Sequence, residues 1–198
     1  MAGETQERIL DAALALFSRR GCDGTSMSDI ARAVGLTKAA LYKHYESKEQ
    51  LREALLDSVE AYYAERFGSK THPLPVPETA EEFYALADRL AELTLRDEKI
   101  VRTRRMLTLE QFRDGRSAAL ATAHFNTGLE TMFTVLFTGM REKGLLLEEE
   151  PAVLAFAYSA PVSSLIRLSD REPGKAEETL EKIRAFTRFF MKTYGKNQ

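Results

Sequence analysis

Apolar residues recur at three-to-four-residue steps along most of this chain. From Gln6 to Arg20, Ile9, Ala13 and Leu16 align with Leu10, Leu14 and Phe17 to build one apolar helix face, and Gly21 and Gly24 end it. Ser26-Met-Ser-Asp29 has the form of a capping box, so a short helix should follow and bury Ile30 and Val34, with Gly35 at its left-handed end. Thr37 is an N-cap for a third helix over 38–45. Ser47-Lys-Glu-Gln50 is a second capping box and starts a fourth helix running to Phe67, with Leu51, Leu55, Val59, Tyr62 and Tyr63 inward.

The three prolines of GSKTHPLPVP cannot continue that helix and mark a linker or stiff loop. Beyond it the periodicity predicts helices over 79–95, 97–113, 116–143, 151–169 and 175–194, with Thr79 and Asp97 as caps and Pro151 in a first turn. No period-2 alternation between turn signals occurs. The prediction is an all-α chain of about nine helices, without internal repeats.

Composition changes this picture little. The 198 residues are 44% hydrophobic and 29% charged, near the averages for globular domains. No apolar run approaches the roughly 20 residues that span a bilayer, and MAGETQERIL does not match a secretory signal, so a cytoplasmic protein away from membranes is expected. The single cysteine, Cys22, excludes an intramolecular disulfide and a Cys-based metal site within one chain. A net charge of −2 argues at first against a nucleic-acid binder. Position reverses that: residues 36 to 48 hold three lysines and His44 against one acid, Glu46.

Two short helices joined by a tight Gly-containing turn, the second basic and polar outside, describe a helix-turn-helix. In that geometry the second helix enters the major groove by its N-terminal residues, here Thr37, Lys38 and Ala39. Lys38 suits guanine O6 or N7, and Ala39 or Ala40 a thymine methyl. Tyr42, Lys43, His44 and Lys48 come a turn or more later and suit phosphate oxygens, as does Ser26 with its following amides. The structural alternative stands beside this: Tyr42 and Tyr45 at helical spacing also suit a core, and Tyr45 stays divided between core and DNA.

The run from Arg8 to Leu51, ILDAALALFSRRGCDGTSMSDIARAVGLTKAALYKHYESKEQL within it, resembles the N-terminal domain of the tetracycline-repressor (TetR) family of bacterial transcription regulators. Ala13, Phe17, Gly21, Thr25, Ile30, Ala31, Gly35, Leu41, Tyr42, Tyr45, Lys48 and Leu51 stand at that family's spacing, over about a quarter of the chain. The resemblance implies that Ser26, Ser28, Thr37, Lys38, Ala39, Tyr42, Lys43, His44 and Lys48 face DNA. Met27, where the family often has Thr or a charged residue, and Ala39-Ala40 depart from the pattern and bear on the operator sequence.

The resemblance further implies two domains: residues 1–50, reading double-stranded DNA with a recognition helix at 38–45, and residues 51–198, a helical ligand-binding and dimerisation domain. The dimer helices would be 151–169 and 175–194, whose apolar surfaces are unusually wide. A homodimer would set two recognition helices roughly 34 to 36 Å apart on a palindromic operator. The expected function is a repressor released by a small-molecule inducer. No cofactor or metal is expected, only an effector of unidentified structure, with Tyr84, His124 and Phe125 as candidate ligand residues and Arg104 and Glu110 on the surface.

Two other functional classes compete with this reading. An enzyme is disfavoured by three histidines only and by the absence of HExxH, GxSxG, P-loop and GxGxxG motifs. A helical module whose basic helix meets acidic proteins is separated from a DNA reader by footprinting.

Overall fold

The computed structural model describes residues 2–69 and 71–196, leaving Met1, Lys70 of the predicted linker, Asn197 and Gln198 outside. The described residues form α1 (Ala2–Arg20), α2 (Met27–Ala33), α3 (Lys38–Tyr42), α4 (Lys48–Phe67), α5 (Ala80–Arg96), α6 (Glu98–Glu110), α7 (Gly115–Thr122), α8 (Gly128–Glu142), α9 (Pro151–Arg171) and α10 (Ala176–Tyr194). A five-residue π-helical segment, Ala123–Thr127, joins α7 to α8, so the single helix predicted over 116–143 is continuous but carries a wider turn. Counted that way the described residues are all-α with nine α-helices, as the periodicity predicts.

Packing divides the chain into two compact units, Met1–Arg66 with Arg102–Ala121, and Phe67–Val101 with Thr122–Gln198. A line after residue 50 follows the sequence motif, whereas the packed unit keeps α4 to Arg66 and adds 102–121. Residues 102–121 bury Met106, Leu107, Leu120 and Ala121 and are tied to α4 by ion pairs: Asp114 pairs with Arg52 at 2.9 Å, and Arg116 pairs with Glu53, Asp57 and Glu60.

In the first unit Ile9, Ala13, Phe17, Ile30, Leu41, Leu51, Leu55 and Val59 are buried. Ser26 caps α2 with both bonds of the capping box, and Thr37 Oγ1 accepts from the Ala40 amide at 3.1 Å. At the second predicted box Ser47 Oγ accepts from Gln50 N, but Gln50 returns its bond to Glu46 N, one residue earlier than the box requires. After α2, Leu36 N donates to Ala31 O and Gly35 N to Arg32 O. That pair of bonds needs the left-handed backbone Gly35 supplies at φ +72°. Val34, predicted to be buried, is instead the half-buried C-cap residue of α2.

The second unit is built on aromatic packing. Phe83, Phe133, Phe137, Tyr158 and Phe190 are buried together, with Phe137 stacked on Phe190 at 5.3 Å between ring centroids and Phe133 edge-on to Tyr158 at 4.6 Å. Tyr158 donates its hydroxyl to Thr187 Oγ1 at 2.7 Å, and Thr187 donates to Ile183 O, so the one phenol in this cluster is satisfied. By length and composition α9 is apolar enough to cross a membrane, which corrects the expectation that no segment approaches that measure. Its Leu154, Ala155, Tyr158, Val162 and Ile166 are buried in the core. The proline-rich loop is ordered where described: Ser69 N donates to His72 O, and Lys143 reaches Val76 O and Glu78.

Candidate nucleic-acid interface

The surface of interest starts at the α1–α2 turn. Lys48, the first residue of α4, donates its ammonium to Cys22 O at 2.8 Å and to Thr25 O at 3.3 Å, and the Cys22 amide donates to Glu110 Oε1 at 3.0 Å. These bonds fix the turn from which α2 and α3 project. Arg8 holds the far end of α2 by donating to Val34 O at 3.0 Å.

On this base α3 is divided by its period. Leu41 is buried and Tyr45 is 6% exposed, which assigns Tyr45 to the core; burial also raises its phenol above the ordinary range. Thr37, Lys38, Ala39, Tyr42 and Lys43 are exposed, with His44 half-buried. The Lys38 ammonium lies 5.8 Å from the centre of the Tyr42 ring, a cation–π spacing that holds the lysine beside the helix start. The α-helical part ends at Tyr42, shorter than the predicted 38–45. Lys43 N donates to Ala40 O and His44 N to Leu41 O, so the backbone tightens into a turn that carries Tyr45 inward.

Three residues of this region make internal bonds or packing contacts. Ser26 is exposed, but its hydroxyl is occupied, accepting from Asp29 N and donating to Asp29 Oδ2 at 2.6 Å. The Ser26 hydroxyl and amide hold the Asp29 carboxyl below its usual range. Lys48 spends two of its three N–H donors on backbone carbonyls, so it ties the head together whatever else it touches. Met27, the departure from the family pattern, is buried and packs the domain. Ser28 is half-buried on α2.

The candidate ligand residues are not gathered at one place. Tyr84 lines a groove of about 250 Å³ between α5 and α10, with Ala85, Asp88, Ile183, Arg184, Thr187 and Arg188. His124 and Phe125 lie on the π-helical segment, where Ser163 of α9 donates to the Phe125 carbonyl at 3.3 Å. Arg104 and Glu110, expected on the surface, are buried, while Phe112 is 91% exposed. The α6 periodicity alone does not show that Glu110 meets a backbone amide 88 residues away.

Residues 9–55 match the family model of bacterial regulatory proteins, tetR family. The biofilm operon icaADBC negative transcriptional regulator IcaR of Staphylococcus epidermidis is 38% identical over 58 residues, covering 29% of this chain and 31% of that protein. The chain thus spans about a third of that relative's length. A TetR transcriptional regulator from Chloroflexus aurantiacus superposes over 99% of this chain and 98% of its own, at 23% identity and a TM-score of 0.71. AibR, solved in complex with isovaleryl coenzyme A and operator DNA, covers 92% of this chain and 97% of its own, at 22% identity and a TM-score of 0.63. At such identities the solved structures speak for the fold, and the matched N-terminal segment speaks for the kind of reading head. The N-terminal segment thus matches the tetR family of bacterial regulatory proteins, and the chain as a whole shares the fold of these solved structures.

Proposed function

We propose that this protein is a cytoplasmic, dimeric, DNA-binding repressor that reads a palindromic operator and is released by a small-molecule inducer. The observation that carries the reading is the division of α3: Thr37, Lys38, Ala39, Tyr42 and Lys43 are exposed while Leu41 and Tyr45 anchor the helix from behind. A helix so presented offers its first turn to base edges and its next residues to phosphates. In this reading Ser26, Ser28, His44 and Lys48 flank the duplex, with Ser26 and Lys48 acting through groups left over from their internal bonds.

Dimerisation is supported by apolar side chains that α9 and α10 leave uncovered: Val153, Phe156 and Phe189 are about 60% exposed (60%, 61% and 62%). Burial of such residues against a second copy is the direct way to remove them from water. Repression is supported by the negative regulator that the reading head resembles, and effector binding by the ligand bound to AibR. His124 and Phe125 on the π-helical segment remain the residues proposed for the effector, with Tyr84 proposed for the separate groove between α5 and α10.

Duplex DNA flanking the gene, titrated with the full-length protein and footprinted, tests the reading. Two protected half-sites about one helical turn apart are expected. Lys43→Ala is expected to lower the slope of log affinity against log salt by about 1, and Tyr42→Ala to weaken binding with the fold intact. Shuffled half-sites that bind as well as the palindrome would sink the dimeric reading. An effector that leaves operator affinity unchanged would sink induction.

A further inference from the structure

The residues from Glu110 to Arg116 fasten themselves to the head at four places. Glu110, 4% exposed, accepts from the Cys22 amide. Arg113 lies 3.3 Å from Asp23 and 3.5 Å from Glu110. Asp114 pairs with Arg52 while its other oxygen accepts from the Ser117 amide at 2.9 Å and so caps α7. Arg116 spans Glu53, Asp57 and Glu60 along α4.

The space for this clasp is built into the sequence of the turn it grips. A Cβ on Gly21 would stand 2.8 Å from Glu110 Oε1 and 3.3 Å from the Arg113 guanidinium. Gly21 therefore has two duties, a left-handed backbone at φ +72° and room for the incoming carboxylate. Lys48 grips the same turn by its carbonyls, so the turn that launches α2 is held by its amide from one side and its carbonyls from the other.

The exposed ion pairs are individually weak because water and salt screen them. Glu110 differs: it is buried and accepts from a backbone amide, the arrangement in which loss of one partner is felt most. Resting on the DNA-reading function proposed above, we propose that Glu110 is a positioning residue for the reading head. Its carboxylate sets the α1–α2 turn, and with it the placement of α2 and α3, while Arg113, Asp114 and Arg116 keep residues 102–121 and α4 moving as one body.

The test uses the full-length protein and a duplex that the wild type enriches from a random pool, compared with a shuffled duplex of the same composition. Glu110→Ala is expected to lower the affinity ratio of selected to shuffled duplex roughly tenfold, with shuffled binding and its salt slope unchanged. Glu110→Gln, which keeps an acceptor for the Cys22 amide, is expected to restore the ratio to within about threefold. Arg116→Ala, more exposed and safe for folding, is expected to lower it by about twofold to threefold. Equal loss on both duplexes in Glu110→Ala, or an unchanged ratio in both Glu110→Ala and Arg116→Ala, overturns the proposal. A wild type that enriches no duplex overturns the DNA-reading function itself, and the clasp's role in it.

Discussion

Helices α2 and α3 are seven and five residues long, whereas α9 and α10 run to 21 and 19. Helices under about 12 residues do not persist alone in water, so the first unit relies on caps, a left-handed glycine and polar ties to longer neighbours. The second unit can rely on packing, and its ring cluster of Phe83, Phe133, Phe137, Tyr158 and Phe190 does so. The two shortest helices bury only Met27, Ile30, Ala31 and Leu41, whereas α9 alone buries Leu154, Ala155, Tyr158, Val162 and Ile166. Stability in one is local and directional, and in the other collective.

The sharpest way to break this contrast is to cut into the ring cluster. Phe137→Ala removes a fully buried side chain in contact with four other rings and is expected to cost about 3–5 kcal/mol in urea denaturation. A loss under about 1 kcal/mol would mean that the cluster collapses around the gap and that packing there is not collective.

A pair of glycines probes the other unit. Gly21 and Gly35 share φ +72°, but nothing lies within 4 Å of a Cβ at Gly35 while Glu110 crowds Gly21. Gly35→Ala is expected to lose about 1–2 kcal/mol from backbone strain alone, and Gly21→Ala clearly more, read from the shift in melting midpoint. Equal losses would show that the Glu110 contact is easily displaced.

The smallest effect concerns acid. Burial pushes the Asp114 carboxyl up, but bonds from Ser117 and the pairing with Arg52 outweigh it and hold the group below its ordinary value of 3.8. A carboxyl so lowered stabilises the fold fully above 3.8, and that contribution fades as pH falls through the lowered value. Asp114→Asn is expected to lower stability slightly at neutral pH, leave it little changed at the acid end, and so flatten the acid limb of the stability curve. An acid limb identical to wild type would show that the clasp carries no pH dependence.

What could be read from the residues divides along the same line. Ser26, Thr37, Ser47, Thr79 and Asp97 announce helix starts because a cap acts over three residues, and all five accept the bonds expected of them. Gly35 was legible for the same reason. The exposed face of α3 was legible from its period and the spacing around it. Glu110 was not, because its partner is 88 residues away and nothing nearby distinguishes it from a surface acid. The early end of α3 at Tyr42 and the inward turn of Tyr45 depend on how tightly the backbone closes. The π-helical turn at Ala123–Thr127 likewise leaves no mark in a three-to-four-residue period, which it barely disturbs.

Cys22 has a practical consequence. Burial, followed by the nearby Glu110 carboxylate, raises its thiol to about 12, so at neutral pH it is both covered and protonated. Maleimides and methanethiosulfonates attack thiolate and pass such a group by. The native chain therefore serves as its own blank for site-directed labelling. A cysteine installed at exposed Ala33 would take up a spin label or fluorophore alone. In the proposed dimer, the distance between two such labels would measure the separation of the two α2 helices with and without a trial effector.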